Sequence, residues 1–283
     1  MALPPPQNPF DWITQLGHMV IGRKVDEKQD DWLLGPIGAI GEKADAFIER
    51  IANEHALEIR KNEPGAGLID SLSHLEFAVS PRIEAFYSRT SDFELDAWTE
   101  WKPFFKPFGF LVGLMFSKRI QQLYLPMNAL ETAQGVKSEI VLLRDQDHRT
   151  VFRIWNRRLK KTEDVIFYGI YSHCQLPSGK PGIKTIFPLP QGSATAIFEI
   201  RGDGEGNLEL VSSGKKYGDP GFYVIIADRH GTFYKHFMPY FRQRIYVYED
   251  DEQTLRANHT MDLWSLRVHS MHYKIVEKTR NDP

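Results

Sequence analysis

The chain has 283 residues, with 35 Lys+Arg against 37 Asp+Glu, ten His, one Cys and 35 aromatic residues. A formal charge of −2 supplies no electrostatic footprint for nucleic acid, and a single cysteine rules out an internal disulfide, pointing to a reducing or a redox-indifferent compartment. With 42% hydrophobic and 25% charged residues the composition is that of a folded chain, long enough for one large domain or two small ones.

No Lys or Arg precedes Arg23, and prolines occupy positions 4–6, so no secretory signal is expected at the N-terminus. The longest apolar stretch, 104–116, is broken by Lys106 and Pro107 and stopped by Lys118 and Arg119. That falls short of the roughly 20 residues that cross a bilayer, so the expectation is a cytoplasmic protein without a transmembrane segment. A lesser reading is peripheral membrane contact through Phe104, Phe105, Phe108 and Phe110.

In chain order, Ile37, Ile40, Ala44, Phe47, Ile48 and Ile51 recur at steps of three and four, predicting a helix that stops near Asn62, before Pro64 and Gly65. A short helix is expected over 68–77. The next begins at Ser80, a good N-cap, with Pro81 in the first turn. Beyond Ser91 the pattern weakens, and 102–107 reads as an extended aromatic connector. The strongest helical stripe follows, from Phe108 through Leu111, Val112, Met115, Phe116 and Ile120 to Leu123, closed by Pro126.

From Val136 the period becomes two. Strands are predicted at 137–144, 151–159, 165–176, 183–189, 194–200, 208–212, 222–228, 245–249, 255–264 and 266–276, with one helix near 232–242. Turn-forming residues at 145–148, 177–182, 202–207 and 249–252 join them at hairpin length. With Asp145 to Arg149 as a loop, Ile140 should face Ile154, Leu142 should face Phe152 and Ser138 should face Asn156. The inner face of the strand beyond Val165 stays open between Tyr171 with His173 and Ser172 with Cys174. The fold class is therefore α+β. N-terminal helices, in a mainly helical region 1–135 carrying 13 basic and 19 acidic side chains, pack on a strongly curved or partly closed antiparallel sheet of residues 136–283. The two regions are expected to make one globular unit.

Chemistry is sparse. His269 and His272, three apart on a strand, point to opposite faces, as do His259 and Asp262, so no metal site and no cofactor are assigned. Cys174 beside His173 is no nucleophilic pair for the same reason. No GxSxG elbow or phosphate loop occurs, and Gly202 to Gly206 reads as a hairpin turn. The Lys215-Lys216-Tyr217-Gly218-Asp219-Pro220-Gly221 turn could rim a pocket or be a solvated turn. Nineteen aromatic residues lie beyond Val136. A curved sheet lined by such rings makes a cavity for a small hydrophobic or amphipathic ligand. Tyr171, His173, Tyr223, Tyr246 and Trp264 are its candidate lining. The alternatives are an enzyme using His173, His259, Asp262 or Arg157 in acid–base work, and a pocketless scaffold contacting a partner or membrane through the 104–110 patch. A cavity above about 300 Å³ would favour the first two. Oligomeric state is not legible.

Several stretches resemble a family of uncharacterised bacterial proteins: Phe86-Tyr87-x-x-Thr90, Phe108-Gly109, Phe116-Ser117-x-Arg119-x-Gln121-Gln122-Leu123, Ser138-Glu139, Phe187-Pro188-Leu189-Pro190-x-Gly192-Ser193-Ala194-Thr195 and Gly218-Asp219-Pro220-Gly221-Phe222-Tyr223. The resemblance covers about residues 80–275. It implies no activity, cofactor or catalytic residue, since its motifs are turn and packing positions.

Overall fold

The computed structural model describes residues 9–72, 75–107 and 135–278, so the helix expected over 108–123 lies outside the described residues. The first part supplies α1 (Pro9–Ile21), β1 (Arg23–Lys24), α2 (Ala44–Glu54), β2 (Glu58–Lys61), α3 (Pro81–Ser88) and β3 (Phe93–Trp101). The second supplies β4 (Val136–Arg144), β5 (Thr150–Leu159), β6 (Val165–Gln175), β7 (Pro181–Leu189), β8 (Gly192–Gly202) and β9 (Leu208–Ser212). It continues with β10 (Phe222–Ala227), β11 (Phe233–Phe237), β12 (Phe241–Glu249), β13 (Leu255–Leu263) and β14 (Leu266–Glu277).

All these strands join one antiparallel sheet in the order β2-β4-β5-β6-β7-β8-β9-β12-β13-β14-β3. The long β8 forks: its end at Glu199–Gly202 pairs with β9, while its start at Gly192–Ala196 pairs with β10, which carries β11 and β1. The sheet curves until β3 comes alongside β4, but no hydrogen-bonded ladder joins them, so it is a trough and not a closed barrel.

The sheet is buried on both faces over much of its length. Ile140 and Leu142 of β4 belong to the interior core, whereas Val141 and Leu143, one residue along, pack outward with Phe47, Ile48 and Ile51 of α2. The Phe47 ring lies 5.3 Å from that of Tyr168 on β6. A third cluster covers the outer side of the β8 and β10 pair, where Trp32 and Leu33 meet Ile197, Tyr223 and Ile225.

Several expectations need correction. The stripe from Ile37 to Ile51 is helical only from Ala44, because Gly38 bridges to Gly192 with its backbone against Leu189. A Cβ at Gly38 would stand 2.7 Å from the Leu189 carbonyl oxygen. The helix stops at His55, not near Asn62: Ala56 takes a left-handed φ of 52°, and the Leu57 N–H returns to the Ala52 carbonyl at 2.8 Å. The described part of 68–77 contains no helix. Ser80 does cap α3, accepting from the Ile83 N–H at 3.2 Å. Phe93 to Trp101, left unassigned by the sequence pattern, is a strand with Phe93, Leu95 and Ala97 buried in alternation.

The helix expected near 232–242 does not exist. Asp228 folds a turn by accepting the N–H groups of His230 and Thr232, both at 2.9 Å, and the aromatic run after it extends as β11.

The first hairpin is one residue out of the expected register. A bulge between Leu143 and Arg144 shifts it, so Ile140 faces Trp155, Val141 faces Ile154, Leu143 faces Phe152 and Ser138 faces Arg157. On β6 the question left open resolves in favour of Tyr171 inside. Cys174 joins the outer cluster with Leu176.

Candidate functional site

The trough's interior holds a cavity of about 200 Å³. Its wall draws on every strand from β5 to β8, on β9 and β10, and on β12 to β14 and β3. Leu68, Ile69, Phe86 and Tyr87 contribute from α3 and the loop preceding it. That loop runs tight against the helix end: Leu68 N–H donates to the Tyr87 carbonyl at 2.9 Å, and a Cβ on Gly67 would stand 2.3 Å from the Ser88 carbonyl carbon.

The volume falls short of the 300 Å³ or so typical of ligand pockets. It still exceeds the roughly 150 Å³ that suffices for a benzene-sized guest in an apolar core.

Most of the wall is aliphatic or aromatic. Its polar members are gathered at one pole, around Arg157 of β5. This side chain is 1% exposed. The Trp155 and Tyr273 ring centroids lie 5.0 and 4.9 Å from its guanidinium carbon, and its Nη1 donates to the Tyr273 hydroxyl at 3.2 Å. That hydroxyl donates onward to Met271 Sδ at 3.2 Å. Tyr171 reaches Thr185 by a hydrogen bond. Burial raises its phenol pKa, against the opposing pull of Arg157.

His259 completes the pole, with Nε2 3.0 Å from Gln243 Oε1. Burial first, then the charges of His269 and Arg157, push its pKa down to about 3, so the imidazole is neutral at physiological pH. His269 sits nearby on the same face of β14 with 0% exposure, its Nε2 2.6 Å from the Thr99 hydroxyl, and burial lowers it to about 4. No Asp, Glu or Lys lies among the described residues of the wall.

Of the candidates read from the sequence, Tyr171, Arg157 and His259 meet on this wall, and the others do not. His173 is exposed, one step beyond Tyr171 on β6. Tyr223 is fully buried but on the outer face, where its hydroxyl donates to the Asp219 carbonyl at 2.6 Å. Tyr246 points outward, stacked on Tyr248 at 5.3 Å and bonded to Asp203 at 2.8 Å. Trp264 is 62% exposed in the turn between β13 and β14. Asp262 is ion-paired with Arg267. The acid–base set proposed from sequence is therefore not assembled in one place.

Trp155, Gln243 and Tyr273 were absent from that candidate set. The signal was available for Tyr273, which alternates with Met271 and Ile275 on one strand face. His272 leaves β14 by the opposite face, toward Asn258 Oδ1 at 2.8 Å.

The Lys215–Gly221 turn also serves another purpose than rimming the cavity. Asp219 accepts the N–H groups of Lys215 and Lys216 at 2.9 and 3.1 Å, and Tyr217 reaches across to Asp30. Asp30, 1% exposed, is ion-paired with Lys235, whose ammonium stands 4.6 Å from the centre of the Tyr217 ring. The 202–207 turn is closed by Asp203, which accepts from Glu205 N–H at 2.8 Å and from both nitrogens of Asn207. Phe104, of the aromatic patch, is 87% exposed beside Phe105, while Phe108 and Phe110 lie outside the described residues.

No protein-family profile matches the chain. It is similar to a Bacillus subtilis (strain 168) protein named "Uncharacterized membrane protein YndJ", at 28% identity over 234 residues, 78% of this chain. The resemblance to uncharacterised bacterial proteins is thereby met. The chain spans 40% of that relative's length. No solved structure matches. No helix among the described residues is long and apolar enough to cross a membrane, which says nothing of membrane-spanning strands.

Proposed function

We propose that the chain binds a small hydrophobic or amphipathic molecule inside the trough. One observation carries this reading: an apolar cavity of about 200 Å³ at the centre of the core, with its polar groups collected at one pole. Well-packed cores leave few voids larger than a water molecule, and lining an empty space with rings forfeits dispersion contacts that a guest restores.

Native mass spectrometry of protein purified from its host, with thermal-shift screening against lipids and metabolites, tests it. A retained small molecule is the expected result, and a ligand at a hundred times its Kd adds about 2.7 kcal/mol of stability. Repeated failure to find any, with no shift across the panel, defeats the reading. A second reading, contact with a membrane surface, draws on the exposed Phe104 and on the name of the Bacillus subtilis relative, an uncharacterized membrane protein. Sedimentation with anionic vesicles, compared between the parent and Phe104→Ser, tests it.

A further inference from the structure

We infer that the guest is a small alcohol or phenol, its hydroxyl at the Gln243 and His259 pair and its chain or ring in the apolar remainder of the cavity. This deepens the binding reading above and rests on it. Strand alternation places the pair: Gln243 alternates with Ile245 on β12, and His259 with Met261 on β13, all four on the cavity wall. Gln243 pairs across the sheet with Met261, and His259 with Ile245 and Met271, so the two polar side chains stand in an apolar frame.

Their contact uses one atom of each, His259 Nε2 and Gln243 Oε1, 3.0 Å apart. The imidazole Nδ1 and the amide nitrogen have no hydrogen-bond partner among the described residues, and each keeps open surface. Burial holds the imidazole neutral at physiological pH, so it carries one N–H and one bare nitrogen. With the hydrogen on Nε2, the amide oxygen accepts it, Nδ1 is an acceptor and the amide N–H₂ is a donor. Turning the amide over reverses the two roles, since Nδ1–H then donates and the amide oxygen accepts. In both arrangements the pair offers the cavity one donor and one acceptor. A hydroxyl is the smallest group that answers both, whereas an ether oxygen only accepts. Size sets the rest: about 200 Å³ suits a single ring or a short alkyl chain and is too little for a long-chain lipid.

Isothermal titration at neutral pH with two pairs of isomers separates the two levels of the claim: 1-hexanol with methyl pentyl ether, and 2-phenylethanol with benzyl methyl ether. The alcohol is the more strongly hydrated member of each pair, so a cavity with no partner for its O–H favours the ether. The expected result is that each alcohol binds at least about fivefold more tightly than its isomer. Gln243→Met and His259→Phe should each reduce that preference severalfold while leaving ether binding within about twofold, and either serves where the other does not fold. Equal or tighter binding of the ethers by the parent, or a preference unchanged in a folded variant, overturns the hydroxyl assignment and leaves the cavity reading standing. Tighter binding of hexanoate than of 1-hexanol does the same. Binding of none of these compounds overturns both.

Discussion

Two basic side chains on opposite faces of the same sheet, Lys235 and Arg157, stand in different surroundings. Lys235, on the outer side, is neutralised by Asp30, which also receives Tyr217 and the Asp26 N–H at 2.7 Å, and the cluster around Trp32 and Tyr223 is filled with rings in edge contact. Arg157, on the inner side, stands among aromatic faces on the cavity wall. Both faces are apolar, so hydrophobic content does not distinguish them. What differs is the surroundings shown for each: Lys235 meets a carboxylate, and Arg157 lies against the Trp155 and Tyr273 rings.

The contrast can be broken hardest at Asp30. Asp30→Asn strands the Lys235 ammonium in a buried site and should cost about 3–5 kcal/mol in chemical denaturation. A loss below about 1 kcal/mol would mean that the outer pair is not what holds residues 26–34 down.

Acid should attack the inner face next. His259 and His269 are neutral when folded, held at about 3 and about 4 by burial, and take up protons near 6.5 once unfolded. The unfolded chain therefore binds more protons below pH 6.5, and stability present above that value is lost as pH falls toward 4. At pH 5 each should cost about 2 kcal/mol relative to pH 7.5. His269→Gln should flatten the fall in Tm by a corresponding amount, and an unaltered slope would show that this imidazole titrates freely.

Packing offers a smaller test. Ala52→Leu, in the filled layer under α2, should cost about 1–3 kcal/mol, whereas Ala257→Leu, on the cavity wall, should cost less than about 1. Equal losses would indicate that the interior is as tight as the outer layer. Ser80→Ala, away from both faces, should cost about 1 kcal/mol through the lost cap and leave ligand binding untouched.

How much of this was written in the sequence depends on the range of the interaction. Strand positions and turns were legible because alternation and turn chemistry are local, as at Asp145 and Asp203. β3 escaped notice because Glu94, Asp96 and Glu100, poor strand formers, masked the alternation of Phe93, Leu95 and Ala97, and its pairing with β14 spans most of the chain. The segment after Asp228 carries aromatics compatible with helix or strand, and its partner β10 decided the matter. The site was harder still. A single-residue bulge at Leu143 changes which residues share a face, and with the expected register Arg157 would not have stood beside Ile140 and Leu142 in the interior. Nothing local marks that bulge. Tyr223 shows the converse failure: an aromatic in the right strand, one position out of phase.

The unladdered seam between β3 and β4 bears on how anything enters. Everywhere else along the main path, parting neighbouring strands means breaking backbone hydrogen bonds, but among the described residues no such ladder joins β3 and β4. The trough thus has a built-in line of breathing, and amide protons along it should exchange with deuterium sooner than those of the β7 and β8 pair. A guest held inside, against Leu95 of β3, would slow that exchange.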